Sequence, residues 1–156
     1  MENLIIRKAT INDLESLLRF EQDLISTERF FDDTLQQPTH YYDLQMMMAA
    51  SHIQLLVAET PTRLVGCGYA RIENAKPYLK HTKHAYLGFM YVVPEYRGKG
   101  VNKQIIEALE EWSLEQHITE WRLDVYFDNS PAIKAYEKAG FQKHLVCMRK
   151  GISFIP

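Results

Sequence analysis

The stretch Met90-Tyr91-Val92-Val93-Pro94-Glu95-Tyr96-Arg97-Gly98-Lys99-Gly100-Val101-Asn102-Lys103 decides the fold. A β-prone apolar run ends at Pro94, which needs no ladder donor, and an amphipathic helical pattern follows almost at once over residues 101–112. Gly98 and Gly100 lie one residue apart, between Arg97 and Lys99. Glycine lets successive backbone N–H groups point into one concavity with no Cβ to block a ligand. The helix adds its own unpaired amides and the positive end of its dipole. Such a turn can cradle a phosphate or diphosphate; it can equally be an ordinary strand-to-helix turn whose cations face water. A Walker loop is excluded, because Lys103 is preceded by Asn102 and followed by Gln104. A dinucleotide fingerprint is excluded too, because Lys103 stands where its third Gly or Ala belongs.

The flanking sequence supplies the remaining elements. Residues 86–93 form the strand that leads into the turn, and Val101, Ile105, Ile106, Leu109 and Trp112 make one apolar stripe on the helix after it. Residues 121–127 alternate as a further strand. Asp128-Asn129-Ser130-Pro131 then opens a short helix, capped by Asn129 or Ser130 and ended by Gly140 in the left-handed region. Residues 141–152 read as a last strand, broken near His144 and Leu145. Upstream, residues 53–58 and 64–73 form an antiparallel hairpin around Pro61-Thr62. Residues 4–7 are a first strand, and Thr10 with Asp13 starts a helix over residues 11–25. Residues 26–39 lose periodicity, and a second helix covers 41–50. The order β-α-α-β-β-β-α-β-α-β indicates a mixed sheet with helices on both faces. Its strand-helix-strand unit through residues 86–127 should be parallel and right-handed.

At 156 residues the chain reads as one domain spanning 1–156, long enough to bury a sizeable core. The net charge of −2 argues against a general nucleic-acid binder, despite the local cluster of Arg97, Lys99 and Lys103. Cys67 and Cys147 each fall in an expected strand, as small apolar residues in a reducing compartment. With no signal pattern and no apolar run of membrane length, the expected location is the cytoplasm, with no membrane partner. His81 and His84 have i, i+3 spacing but no further ligand group nearby, so no metal is expected.

Val92-Val93-Pro94-Glu95-Tyr96-Arg97-Gly98-Lys99-Gly100-Val101, followed by Asn129-x-x-Ala132-x-x-x-Tyr136-x-x-x-Gly140-Phe141, resembles the GNAT superfamily of N-acetyltransferases. The motifs stand in the expected order, and the flanking elements fit over nearly the whole chain. The resemblance implies a GNAT-like α/β (α+β) fold: a mixed, mainly antiparallel sheet of six to seven strands flanked by about four helices. It also implies a splay between the strands that end near Val93 and Phe127. The exposed backbone at Met90, Tyr91, Val92 and Val93 would pair with the pantetheine of acetyl-CoA, as in strand addition. Arg97, Gly98, Lys99, Gly100, Val101, Asn102 and Lys103 would hold its pyrophosphate. Asn102 departs from the pattern, since Gly or Ala is usual there; it can reach the left-handed region or add a side-chain donor. Asn129, with Ala132, would hold the pantetheine or pyrophosphate portion, or Asn129 is a plain cap. Tyr136 would face the thioester sulfur as the catalytic acid, or it packs in the core.

The implied reaction is direct attack of an amine on the acetyl thioester. Neutralising a lysine-like amine at pH 7 costs about 4–5 kcal/mol, and an N-terminal amine about 1 kcal/mol, so a base matters most for an alkyl amine. Asp124, Glu73 and Tyr86 are the candidate bases, Asp124 first; its alternative is a structural salt bridge. Glu28, Phe30 and Phe31, with Glu73 and Tyr86, are candidates to bind a cationic amine with an apolar body, although the 28–33 segment also reads as a solvated loop. The expected function is acetyl-CoA-dependent N-acetylation of a small-molecule amine, a peptide N-terminus or a lysine, by a monomer or homodimer. The alternative is a non-catalytic acyl-CoA sensor of the same fold.

Overall fold

The computed structural model describes residues 3–154; residues 1, 2, 155 and 156 of the expected single domain lie outside the described residues. The chain gathers into two compact units, Met1–Asp124 and Val125–Pro156. The first unit opens with β1 (Ile5–Lys8) and a single 3-10 turn (Ile11–Asp13) that leads into α1 (Leu14–Glu28). The Asp13 carboxylate accepts the Thr10 amide at 2.8 Å and so starts this turn. α1 runs past Ile25 to Glu28, so Glu28 closes a helix rather than opening a loop; Ser26 and Thr27 blur the apolar period without breaking the backbone. α2 (Leu44–Ala49) starts later than the pattern suggests, because Asp43 caps it by accepting the Met46 amide at 3.1 Å.

β2 (Ile53–Glu59), β3 (Leu64–Asn74) and β4 (Lys83–Val92) follow, then α3 (Val101–Glu115) and β5 (Trp121–Arg122). The sheet order is β1-β2-β3-β4-β5, antiparallel as far as β4, with β5 parallel to β4. The sheet is mixed and mainly antiparallel as expected, but it has five strands among the described residues, not six or seven. A strand exists through its ladder. β5 pairs only at Ala85–Trp121 and Tyr86–Arg122 and ends there, instead of running to Phe127. Residues 142–154, Cys147 included, carry no regular secondary structure. Among the described residues no helix is long and apolar enough to cross a membrane.

One irregularity in the β3–β4 ladder sets the faces of the sheet. Cys67 pairs with Tyr91 and Tyr69 with Gly88, so two residues of β3 span three of β4. The extra residue is taken up at Phe89, whose φ of 52° is left-handed, a β-bulge. Side chains alternate along a strand, so the bulge reverses the parity of β4. Tyr91, Gly88 and Tyr86 share the face of Cys67, Tyr69 and Arg71, while Val92 pairs with Gly66 on the other. α1 covers the first face, where Phe20 meets Tyr91 with ring centroids 4.9 Å apart. α3 covers the second. A Cβ on Gly66 would lie 3.2 Å from Val101 Cγ1, and one on Gly68 3.0 Å from Ile105 Cγ2 and 2.5 Å from Met90 Sδ. These glycines let the helix close on the sheet. On α3 the buried stripe is Val101, Ile105, Ile106, Leu109 and Ser113. Ser113 replaces the expected Trp112: its hydroxyl accepts the Trp121 indole N–H at 2.9 Å and donates to the Leu109 carbonyl at 2.8 Å.

Arg7 binds three segments of this unit. Its guanidinium meets Asp13 at 2.8 and 2.9 Å and Glu59 at 2.8 Å, and its hydrogen bonds hold both carboxyls below their usual range. Carboxyls depressed in the fold contribute stability above their unfolded pKa, near 4, and lose it as pH falls. Arg7→Leu should therefore lower the urea midpoint at pH 7, with the gap to wild type shrinking toward pH 3. An equal gap at both pH values in urea melts would remove Arg7 from this role.

Candidate active site

The glycine turn sits between β4 and α3. Gly98 has φ 74° and Gly100 φ 83°, the left-handed region that glycine enters without strain. A Cβ at either would meet nothing within 4 Å, so the concavity there is open. Gly100 is the N-cap residue of α3 and supplies no side-chain cap; among the described residues its leading amides have no side-chain acceptor, the condition under which a helix start can bind an anion. Asn102 lies inside the first turn of α3, so the departure from the usual Gly or Ala is absorbed as ordinary helix.

The basic side chains of the turn are each held. Arg97 Nε donates to the Val92 carbonyl at 2.8 Å and its guanidinium lies over the Tyr91 ring at 5.8 Å. Lys99 stands 5.2 Å from the Tyr96 ring centroid, and Lys103 pairs with Glu107 one helical turn on, at 3.8 Å. The Tyr91 hydroxyl donates to Asp23 at 3.0 Å; burial, then this carboxylate, pushes its pKa up to about 12. Val93 ends the ladder by donating to the Val65 carbonyl at 2.9 Å.

A second constellation lies on the α1 face of the sheet. Tyr86 donates to Asp124 Oδ2 at 3.2 Å, and Asp124 stands just beyond the point where β5 leaves the ladder. The Arg71 guanidinium lies over the rings of Tyr86 and Tyr69, 5.4 and 5.5 Å from their centroids. Glu73 holds Arg71 at 2.7 Å and stands 3.5 Å from His84, so it already has partners on both sides. Tyr69 crosses over Gly88, where a Cβ would fall 2.5 Å from its hydroxyl oxygen. Tyr42 stacks on Phe89 at 4.7 Å and meets Tyr69 edge-on at 5.8 Å. Tyr41 donates to Glu28 at 3.0 Å.

Burial raises the pKa of Tyr42, Tyr69 and Tyr86, and the charge of Asp124 pushes Tyr86 further. All three phenols therefore stay protonated near neutrality, and Tyr86 stands as the donor to Asp124. Burial also raises the Glu28 carboxyl against the lowering effect of Tyr41. Phe30 and Phe31 lie 6.4 Å apart just past α1, and Phe30 is 92% exposed, clear of the cluster. The His81 and His84 rings touch at 5.8 Å.

Tyr41, Tyr42, Tyr69 and Arg71 were not among the residues expected from sequence. The alternation Tyr69-x-Arg71-x-Glu73 in an otherwise apolar strand was the available signal for one face. Nothing local marks Tyr42, which lies far in sequence from Phe89 and Tyr69.

The second unit holds α4 (Ser130–Lys138) and the other predicted residues. Asn129 is its N-cap: Oδ1 accepts the Ala132 amide at 3.3 Å, and the cap leaves the side-chain NH2 out of use. At the far end Gly140 has φ 98°. Its amide donates to the Glu137 carbonyl at 3.1 Å and the Phe141 amide to that of Tyr136 at 3.0 Å, a Schellman ending. The rings of Tyr136 and Phe141 meet edge-on at 5.7 Å, which fixes the direction of Tyr136 from its own helix end.

A profile of the "Acetyltransferase (GNAT) family" matches residues 17–141. The chain is 36% identical over 145 residues to the thialysine N-epsilon-acetyltransferase of Sus scrofa, across 90% of this chain and 85% of that protein. Among solved structures, the tetramutant of the BH1408 protein from Bacillus halodurans aligns with a TM-score of 0.85 at 19% identity, over 95% of this chain and 99% of that one. The aminoglycoside N-acetyltransferase AAC(6')-Iy in complex with CoA aligns with a TM-score of 0.72 at 20% identity, over 95% and 100%.

Gly100→Ala isolates the backbone requirement, since no atom obstructs the added methyl. The left-handed φ should cost about 1–2 kcal/mol of stability, read by denaturant melts; a melt matching wild type would show that the turn tolerates a side chain.

Proposed function

Because the chain belongs to the acetyltransferase (GNAT) family, we propose that it is an acetyl-CoA-dependent N-acetyltransferase that acetylates a primary amine by direct attack on the thioester. The observation that carries this reading is the turn at Arg97–Asn102: two left-handed glycines with open space about them lead into a helix whose first amides no side chain caps. That is the donor set a diphosphate needs. Arg97, Gly98, Lys99, Gly100, Val101, Asn102 and Lys103 would hold the coenzyme's pyrophosphate, and Met90 to Val93 its pantetheine. Asn129, with its side-chain NH2 outside the cap, and Ala132 would hold the same coenzyme. The splay beside β4 beyond Tyr86 belongs to this proposal, as do a single domain over 1–156, a monomer or homodimer, and the cytoplasm.

Acetyl-CoA supplies the acyl group and a thiol leaving group. The protein's part is to strip a proton from the incoming ammonium and return one to sulfur. Asp124 suits the first task, because its side-chain hydrogen bond in this cluster comes from a neutral phenol, whereas Glu73 is already paired with the Arg71 guanidinium and stands 3.5 Å from His84. Tyr86 and Tyr69 line the path as donors. Tyr136, aimed by its Schellman end, suits the second task. Glu28 at the end of α1, with Tyr41 and Tyr42, forms the acceptor wall and favours a cation. The named relatives act on amines of thialysine and aminoglycosides, which agrees with an amine acceptor here. A non-catalytic acyl-CoA sensor would keep the turn and Asn129 but would have no use for Asp124 or Tyr136.

Thiol release should be followed with acetyl-CoA and a panel of thialysine, an aminoglycoside and a peptide with a free N-terminus. Turnover of at least one amine is expected. Asp124→Asn should lower kcat/KM by about 10²-fold, within the usual range for general bases. Tyr136→Phe should slow turnover less, about tenfold, because a thiolate already leaves fairly well. No turnover despite thermal stabilisation by coenzyme A would establish the sensor instead.

A further inference from the structure

We propose that Glu21 is a positioning residue for the acceptor: buried in α1, it clamps the backbone of Tyr41 and Tyr42 so that their rings form the acceptor wall. The inference rests on the amine-acceptor reading of that wall. The Glu21 side chain is 0% exposed, yet α1 needs only an apolar residue there for packing. A carboxyl group withdrawn from water is costly unless its lone pairs are filled. Here they are filled from one place. Oε2 accepts the amides of both Tyr41 and Tyr42, each at 2.9 Å, and Oε1 meets His40 Nδ1 at 2.7 Å. Gln22 adds a second grip by donating to the Thr39 carbonyl at 3.1 Å.

No helix or strand lies between Glu28 and Leu44 to hold these residues otherwise. With the backbone pinned, the Tyr42 ring reaches Phe89 at the bulge and Tyr69 beside it, and the Tyr41 hydroxyl reaches Glu28. The clamp therefore acts on substrate through two tyrosines and touches none itself. It should set acceptor affinity and leave the coenzyme alone.

Glu21→Leu removes the acceptors and Glu21→Gln keeps one oxygen for the two amides. In kinetics with the panel amine that wild type turns over fastest, Glu21→Leu should raise the acceptor KM at least about tenfold, as expected when a hydrogen-bonded partner is lost. Glu21→Gln should fall between it and wild type, and the acetyl-CoA KM of both should stay within about twofold. Amide hydrogen exchange at Tyr41 and Tyr42 should quicken in Glu21→Gln while exchange in β2 and β3 does not. Both KM values rising together, or an unchanged acceptor KM, overturns the proposal. If Glu21→Leu does not fold, Glu21→Gln decides. If wild type turns over no amine, the acetyltransferase reading fails, and the clamp is judged on exchange alone: wild-type exchange at Tyr41 and Tyr42 in Glu21→Gln overturns it.

Discussion

Everything on β4 follows from one unpaired residue. Between the pairs Cys67–Tyr91 and Tyr69–Gly88, β4 carries one residue more than β3, and Phe89 takes a left-handed backbone to accommodate it. An aromatic residue in that region costs about 1–2 kcal/mol, and Phe89 offsets this by being buried and stacked on Tyr42. In return one strand serves two faces. Its C-terminal half sends Met90 toward Gly68 and α3, next to the glycine turn. Its N-terminal half sends Tyr86 toward Arg71 and Asp124. Without the bulge Met90 and Tyr86 would share a face, and the donors on the α1 side would lose their central member.

The chemistry of the α1 face depends on dryness more than on charge. Three tyrosines with raised pKa values gather around Gly88 and Phe89 and remain neutral donors. The carboxylates around them are not equivalent: Glu73 is consumed by Arg71 and His84, Glu28 is half-withdrawn from water under Tyr41, and Asp124 sits at the open end of the ladder. A carboxylate is most useful as a proton acceptor where nothing has already neutralised it. The difference between them comes from the partners each acid has, since all three are ordinary side chains by composition.

What the sequence disclosed were features whose cause is local. The glycine turn, the apolar stripe of α3, the β2–β3 hairpin and the Schellman end at Gly140 each rest on residues within a few positions of one another. The last turn of α1 is hidden from the apolar period by Ser26 and Thr27. The bulge was invisible because its left-handed residue is a Phe; the visible glycine, Gly88, is its neighbour. Tyr42 and Tyr69 entered the site through register and loop path, which no short window contains. The sixth strand fails for a related reason: residues 141–152 have a β-like composition, but a ladder requires a partner that composition does not specify.

Tyr69 and Gly88 occupy a single volume, with the phenol of one passing where the first side-chain carbon of the other would be. The two positions are therefore not independent of one another. Any side chain at 88 requires the ring at 69 to have shrunk or turned beforehand, and a smaller residue at 69 opens a gap that only then makes a larger 88 acceptable. The α1 face of the sheet can change its shape along such a route while the glycine turn, on separate residues, stays as it is.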